Sequence, residues 1–165
     1  MNFNEISSIK DYGFTGFIPV GQLMKDVSMI PESKGVYMVL YIQDTPPVFL
    51  EKGTGGFFKG KDPNVQQMTL RENWVEGTKV VYIGKAGGAS HSSTLKNRIK
   101  QYLRFGEGKN VGHWGGRFIW QLKESNSLLI CWKVITDEEP RKVEKNLIND
   151  FKNEYNMRPF ANLSD

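Results

Sequence analysis

Two short runs of β-branched and aromatic residues, bounded by turn formers, constrain the fold most. GVYMVLYI (35–42) is introduced by Pro31 and Gly35, and KVVYIGKA (79–86) ends at Gly87-Gly88. Runs of this composition read as buried strands. LLICWKVI (128–135) is a third, and RFIWQL (117–122) is expected to add a shorter one. After Thr94 the apolar period changes. Leu95, Ile99, Tyr102 and Leu103 recur at helical spacing, and the Ser/Thr-rich approach HSST offers N-caps. A last helix is expected from Thr136 and Glu139 as a capping box, with Pro140 in its first turn. Its apolar stripe is Val143, Leu147, Phe151 and Tyr155, and Arg158-Pro159 is expected to stop it.

The remaining stretches are less regular. Residues 43–79 form a long polar segment with Pro46-Pro47 and Asp62-Pro63, within which QQMTLRENW suits a short helix. A connection this long is uncommon unless functional. Residues 1–30 carry YGFTGF and VGQLM, a strand or loop capping the domain. The expected fold is α+β: one domain over 1–165, with a small, mainly antiparallel three-stranded central sheet flanked by helices. Residues 1–30 are an N-terminal extension to it and 43–79 an insertion between the first two strands.

The lone Cys131 has no internal disulfide partner and sits in an apolar run, so nothing asks for an oxidising compartment. No apolar run has bilayer length, and MNFNEISSIK lacks the basic-then-apolar plan of an export signal. A cytoplasmic protein without a membrane partner is expected. The net charge of +4 is unevenly spread: Lys85 to Lys123 holds eight basic residues against Glu107 alone, so the remainder nets −3. Interleaved with Tyr102, Phe105, Trp114, Phe118 and Trp120, this block suits a phosphate backbone, although a solvated helix face has the same composition. Its candidate contacts are Lys96, Lys100, Arg104, His113 and Arg117. His91 and His113 are expected in surface loops, with His113 and Arg117 paired as a phosphate contact; two histidines without companions make no zinc site.

Singly, the other candidate residues read as ordinary. Tyr37 and Tyr82 suit half-buried strand packing, and Arg98 suits a solvated helix face. Glu144 is less easily placed. On a helix it neighbours Ile148 and Phe151, at the edge of the apolar stripe, where a carboxylate needs a cation. That cation is an arginine or a metal.

Together these residues resemble the GIY-YIG nuclease family. GVY (35–37) and YIG (82–84) stand on consecutive strands, with Val36 in place of isoleucine. KGVYMVL, VYIGKA, LKNRIKQYL, VEKNLINDF and RPFAN resemble, in order, five elements of the incision domain of the bacterial excision-repair nuclease. The resemblance implies a divalent-metal-dependent endonuclease that hydrolyses DNA phosphodiesters, one strand per active site, with Mg2+ or Mn2+ as cofactor. It further implies Glu144 as metal ligand, Arg98 on the scissile phosphate, and Lys85 and Asn162 as supporting residues. One of the two tyrosines is implied as general base, with Tyr37 favoured and Tyr82 as its hydrogen-bonding partner, although the sequence does not separate the two. An ungapped alignment would place Asn156 where RPFAN places Asn162; the proline turn favours Asn162. The alternative is a nucleic-acid-binding module that keeps the fold and does not cut.

Overall fold

Residues 36 to 41 are all buried, yet they divide strictly by parity between two cores. Val36, Met38 and Leu40 join one apolar cluster; Tyr37, Val39 and Tyr41 join the other. A strand behaves this way only in the middle of a sheet covered on both faces.

The computed structural model describes residues 1–164. In chain order it contains α1 (Ile6–Asp11), β1 (Thr15–Pro19), α2 (Val20–Leu23), β2 (Gly35–Leu40), α3 (Gln67–Asn73), β3 (Val80–Ala86), α4 (Leu95–Gly106), β4 (Leu129–Val134) and α5 (Pro140–Tyr155). Tight 3-10 turns occupy Phe58–Gly60, Trp114–Gln121 and Ser125–Ser127. Among the described residues no helix is long and apolar enough to cross a membrane.

The α+β class is as expected, but the sheet has four strands, in the order β1-β4-β2-β3, all antiparallel. The additional strand comes from the N-terminal segment. A strand or loop capping the domain is expected there; its place in the sheet is not evident locally, because Gly13 and Gly16 take positive φ and Phe17 (φ 59°) accompanies a register break between Gly16 and Ile18. A Cβ on Gly16 would lie 2.7 Å from the Trp132 ring, so the glycine is what lets this strand lie on β4.

On one face of the sheet, α5 buries Val143, Leu147, Ile148 and Phe151 with Phe3, Ile9 and Phe14. On the other, α4 buries Leu95, Ile99, Tyr102, Leu103 and Phe105. The Thr94 hydroxyl caps α4 by accepting from Asn97 N–H at 3.2 Å, an interaction worth about 1 kcal/mol.

Three local expectations are corrected. Residues 117–122 are not a strand: Phe118, Ile119 and Trp120 are buried in succession inside a 3-10 segment, a pattern a half-exposed strand cannot present. Thr136 and Glu139 form no capping box. The N-cap is Glu139 itself, the Thr136 hydroxyl reaches Asp137, and Glu139 accepts from Ala89 N–H instead. At its other end α5 stops at Asn156, which takes the left-handed conformation (φ 57°), before Arg158-Pro159 is reached.

The 43–79 segment is more than a surface insertion. Leu70 and Val75 are buried. Phe49 and Trp74 pack on each other and on Phe160, with ring centroids 5.2–5.9 Å apart. The buried Gln121 amide stitches the segment down, donating to Leu50 and Val65 carbonyls and accepting from Val65 N–H. This satisfied amide explains how a polar loop can cover a core.

An exposed β3 edge would leave strand groups unpaired. The C-terminal tail covers it: Ala161 N–H donates to Val81 C=O (2.8 Å), and the Asn162 amide both accepts from Ile83 N–H (2.9 Å) and donates to Ile83 C=O (2.8 Å). Asn162→Ala orphans both Ile83 groups and is expected to cost about 2–4 kcal/mol. Urea denaturation checks this; an unchanged midpoint rejects the clip.

Candidate active site

A pocket of about 360 Å³ opens beside β3, beyond the stretch covered by the tail. Its wall is made by Tyr82, Lys85, Ala86 and Gly87 from β3 and the following turn, His91 and Ser93 from the loop, Arg98 and Gln101 from α4, and Glu144 from α5. The two helices pack on opposite faces of the sheet, and Arg98 from one and Glu144 from the other line the pocket beside its edge strand. That is how residues far apart in the chain share one cleft.

The tyrosines are set by sheet register. Tyr37 pairs with Gly84 and Val39 with Tyr82, so the two rings are diagonal neighbours, 6.0 Å apart. The register shifts between Val39 and Leu40, and Val81 and Tyr82 consequently both join the Tyr37 core. Gly84 is needed because a Cβ there would lie 2.5 Å from Tyr37 Cζ and 2.7 Å from its hydroxyl.

Tyr82 lines the pocket, whereas Tyr37 is fully buried and hydrogen-bonded to His113 Nε2 at 2.7 Å. The geometry thus reverses the expected order of the two phenols with respect to the cleft. Burial pushes Tyr82 up to about 12, against the opposing pull of Arg98, and pushes Tyr37 well above its ordinary value. The hydroxyls also interact, which raises Tyr37 and lowers Tyr82.

Arg98 projects from α4 with Nη1 donating to the Gln101 side-chain oxygen (2.7 Å) and to Gly112 C=O (3.0 Å). Those two bonds leave Nε and Nη2 for a ligand, in a guanidinium whose direction is already fixed.

Glu144 is half-buried. Among the described residues it makes no ion pair and no hydrogen bond, so no arginine takes it as a partner. Burial raises its carboxyl above the ordinary range; Lys85, Arg141 and Arg98 pull it back. Of the pocket-lining residues it is the one carboxylate, and no group of three or more His, Cys, Asp or Glu gathers anywhere among the described residues. One unpaired carboxylate facing an open cleft of this size fits a hard cation that keeps most of its waters, as magnesium does. It does not fit a multiply ligated transition metal.

Other expected residues fall elsewhere. Asn162 is outside the pocket wall and serves the β3 edge; Asn156 caps α5. His113 is not a surface loop residue: it is 1% exposed and unable to reach a phosphate backbone. Arg117 is partly buried, stacked 4.5 Å over Trp114, and burial lowers it. Lys96 pairs with Glu32 at 3.4 Å, while Lys100 and Arg104 are exposed along α4. A shallow cleft lined by Ser93, Asn97, Lys100, Gln101, Arg104 and Val111 continues from the pocket, sharing Ser93 and Gln101 with it.

Two contributors are not evident from the sequence. Tyr102, which reads as helix packing, donates to Gly116 C=O (2.5 Å) and stacks on His113; its i+4 spacing from Arg98 is the available signal. Gln101 orients Arg98 and carries no signal at all. No known family model, curated protein or solved structure matches the chain.

Proposed function

We propose that this chain is a divalent-metal-dependent endonuclease acting on DNA, of the GIY-YIG kind its motifs resemble. The observation that carries the reading is the unpaired carboxylate of Glu144 in one cleft with the directed guanidinium of Arg98, Lys85 and the Tyr82 phenol. Tyr82 also serves the core, but packing requires none of the three charged groups there, and a lone half-buried carboxylate is a cost unless a ligand meets it.

Phosphodiester hydrolysis needs charge stabilised on a phosphate and a proton taken from the attacking water. Glu144 would hold a magnesium ion, which would supply Lewis-acid stabilisation of the phosphate oxygens. Arg98 grips the same phosphate with the N–H groups that Gln101 and Gly112 leave free. Lys85 places a further positive charge beside Glu144. Tyr82 is the phenol at the wall; once it has released its own proton to solvent, with Arg98 favouring the phenolate against burial, the phenolate oxygen takes the proton of the attacking water. Lys100 and Arg104 carry the flanking backbone along the continuing cleft.

Nicking of supercoiled plasmid with magnesium tests the proposal. Failure to cut plasmid, branched or single-stranded DNA with either magnesium or manganese overturns it. Lys100→Ala with Arg104→Ala is expected to weaken binding and to flatten the dependence of log affinity on log salt, by about 0.9 for each phosphate no longer neutralised. An unchanged slope removes that cleft from the interface.

A second reading, a nucleic-acid-binding module that does not cut, is favoured by one observation: burial pushes both phenols up rather than down. Salt-sensitive binding without metal-dependent nicking selects it.

A further inference from the structure

The five residues Gly112 to Gly116 touch the candidate machinery at three points. Gly112 C=O receives Arg98, His113 Nε2 meets the Tyr37 hydroxyl, and Gly116 C=O receives the Tyr102 hydroxyl. The His113 ring lies flat on Tyr102, centroids 3.7 Å apart and planes 3° from parallel. A Cβ at position 116 would collide with the Tyr102 oxygen, so glycine alone allows this approach.

His113 is too expensive to be mere packing. Its Nδ1 is buried without a partner, a cost that phenylalanine in the same stacked slot would not carry. The imidazole therefore owes its place to Nε2. Burial, reinforced by Arg98, keeps the ring neutral against a weaker opposing pull from its own backbone, which makes no hydrogen bond to Nδ1, so one nitrogen carries the proton. A buried N–H without an acceptor is the rarer kind of orphan, which leaves the bare lone pair on Nδ1 and puts the proton on Nε2. Nε2–H then donates to the Tyr37 oxygen, and the proton of Tyr37 is free to turn toward Tyr82.

We propose that His113 is a positioning residue that fixes the direction of the Tyr37 hydroxyl, and through it the hydrogen bonding of the pocket-wall phenol Tyr82. Its kinetic consequence rests on the endonuclease reading; the bonding arrangement itself does not.

The experiment has two arms. In the first, nitrogen NMR of wild type is expected to report a neutral His113 protonated at Nε2. The Tyr37 ζ-carbon signal is expected to move in His113→Phe, which keeps the stack on Tyr102, and to stay near its wild-type position in His113→Gln. Protonation at Nδ1, or an unmoved Tyr37 signal in His113→Phe, overturns the proposal whether or not the protein cuts DNA. If His113→Phe does not fold, the wild-type tautomer still decides.

In the second arm, His113→Phe is expected to lower kcat about 10–100-fold, the usual weight of a group acting through another, with KM little changed and with activity largely restored by His113→Gln. Added to Tyr37→Phe, it should cost nothing more. Wild-type kcat in His113→Phe, or a loss that adds in full to that of Tyr37→Phe, overturns the proposal. Absence of cutting by wild type instead defeats the endonuclease reading, and the first arm then decides alone.

Discussion

Glu144→Gln is expected to abolish metal-dependent cleavage while making the protein harder to melt. The amide keeps the shape of the side chain and removes its charge. Loss of the ion at the reacting phosphate forfeits about 4 kcal/mol of stabilisation, or about 1,000-fold in rate. The stability change has the opposite sign. Burial raises the Glu144 carboxyl, so at neutral pH the ionised group opposes folding, and replacing it relieves that opposition. A gain of about 1 kcal/mol, within the usual range for relieving a functional site, corresponds to about 2–4 °C in a domain of this size. The advantage of glutamine holds above the raised carboxyl value and fades as pH falls below the ordinary carboxylate range, where both side chains are neutral. Magnesium reverses the order, because it stabilises only a folded state that binds it. Wild type should gain melting temperature on adding magnesium and Glu144→Gln should not. Calorimetry with and without magnesium, beside a nicking assay, separates a metal ligand from a packing carboxylate. If Glu144→Gln cuts like wild type, or if magnesium moves neither melting temperature, Glu144 is not the ligand.

Arg98→Ala is expected to lower kcat about 100–1,000-fold, the range lost when one donor to a developing oxyanion is removed. Arg98→Lys should recover little of it. Lysine restores a charge, but it cannot hold Gln101 and Gly112 with one nitrogen while presenting a fork to phosphate. DNA affinity at low salt should fall much less than kcat in both variants, since Lys100 and Arg104 remain. Equal losses in affinity and rate would make Arg98 an ordinary backbone contact. Full activity in Arg98→Lys would show that charge alone suffices.

Glu144 is legible from helical arithmetic, Arg98 only from the resemblance of its helix. Val143, Leu147 and Phe151 define the buried stripe of α5, and Glu144 falls at its margin. The spacing of α4 fixes its buried face through Leu95, Ile99 and Tyr102, and leaves Arg98 among the basic residues outside it. Burial of β2 on both faces follows from an unbroken apolar run. In each case the period of the backbone carries the signal, and period is a local property. Strand β1 is hidden because glycines and a register break erase its alternation. The 117–122 run reads as a strand because a short apolar stretch has no period of its own.

Asn162 and His113 mark the limit most sharply. RPFAN singles out Asn162 over Asn156, but the contact Asn162 makes is with the backbone of Ile83, 79 residues away, and its effect is on the sheet edge. His113 has the look of a loop residue between glycines. It is buried because the Gly112 carbonyl meets Arg98 on one side of it and Gly116, at the start of a 3-10 segment, lets the chain close on Tyr102 on the other.

By itself the sequence determined the α+β class, the two tyrosine strands and the helices that carry Arg98 and Glu144, because alternation and helical spacing are written in neighbouring residues. Only the tertiary structure decided that α4 and α5, on opposite faces, bring Arg98 and Glu144 to one cleft beside β3, that Tyr82 rather than Tyr37 lines that cleft, and that His113 lies behind both. Those outcomes depend on which strand becomes the edge and on how a loop without a period packs, and both are settled by contacts between residues far apart in the chain.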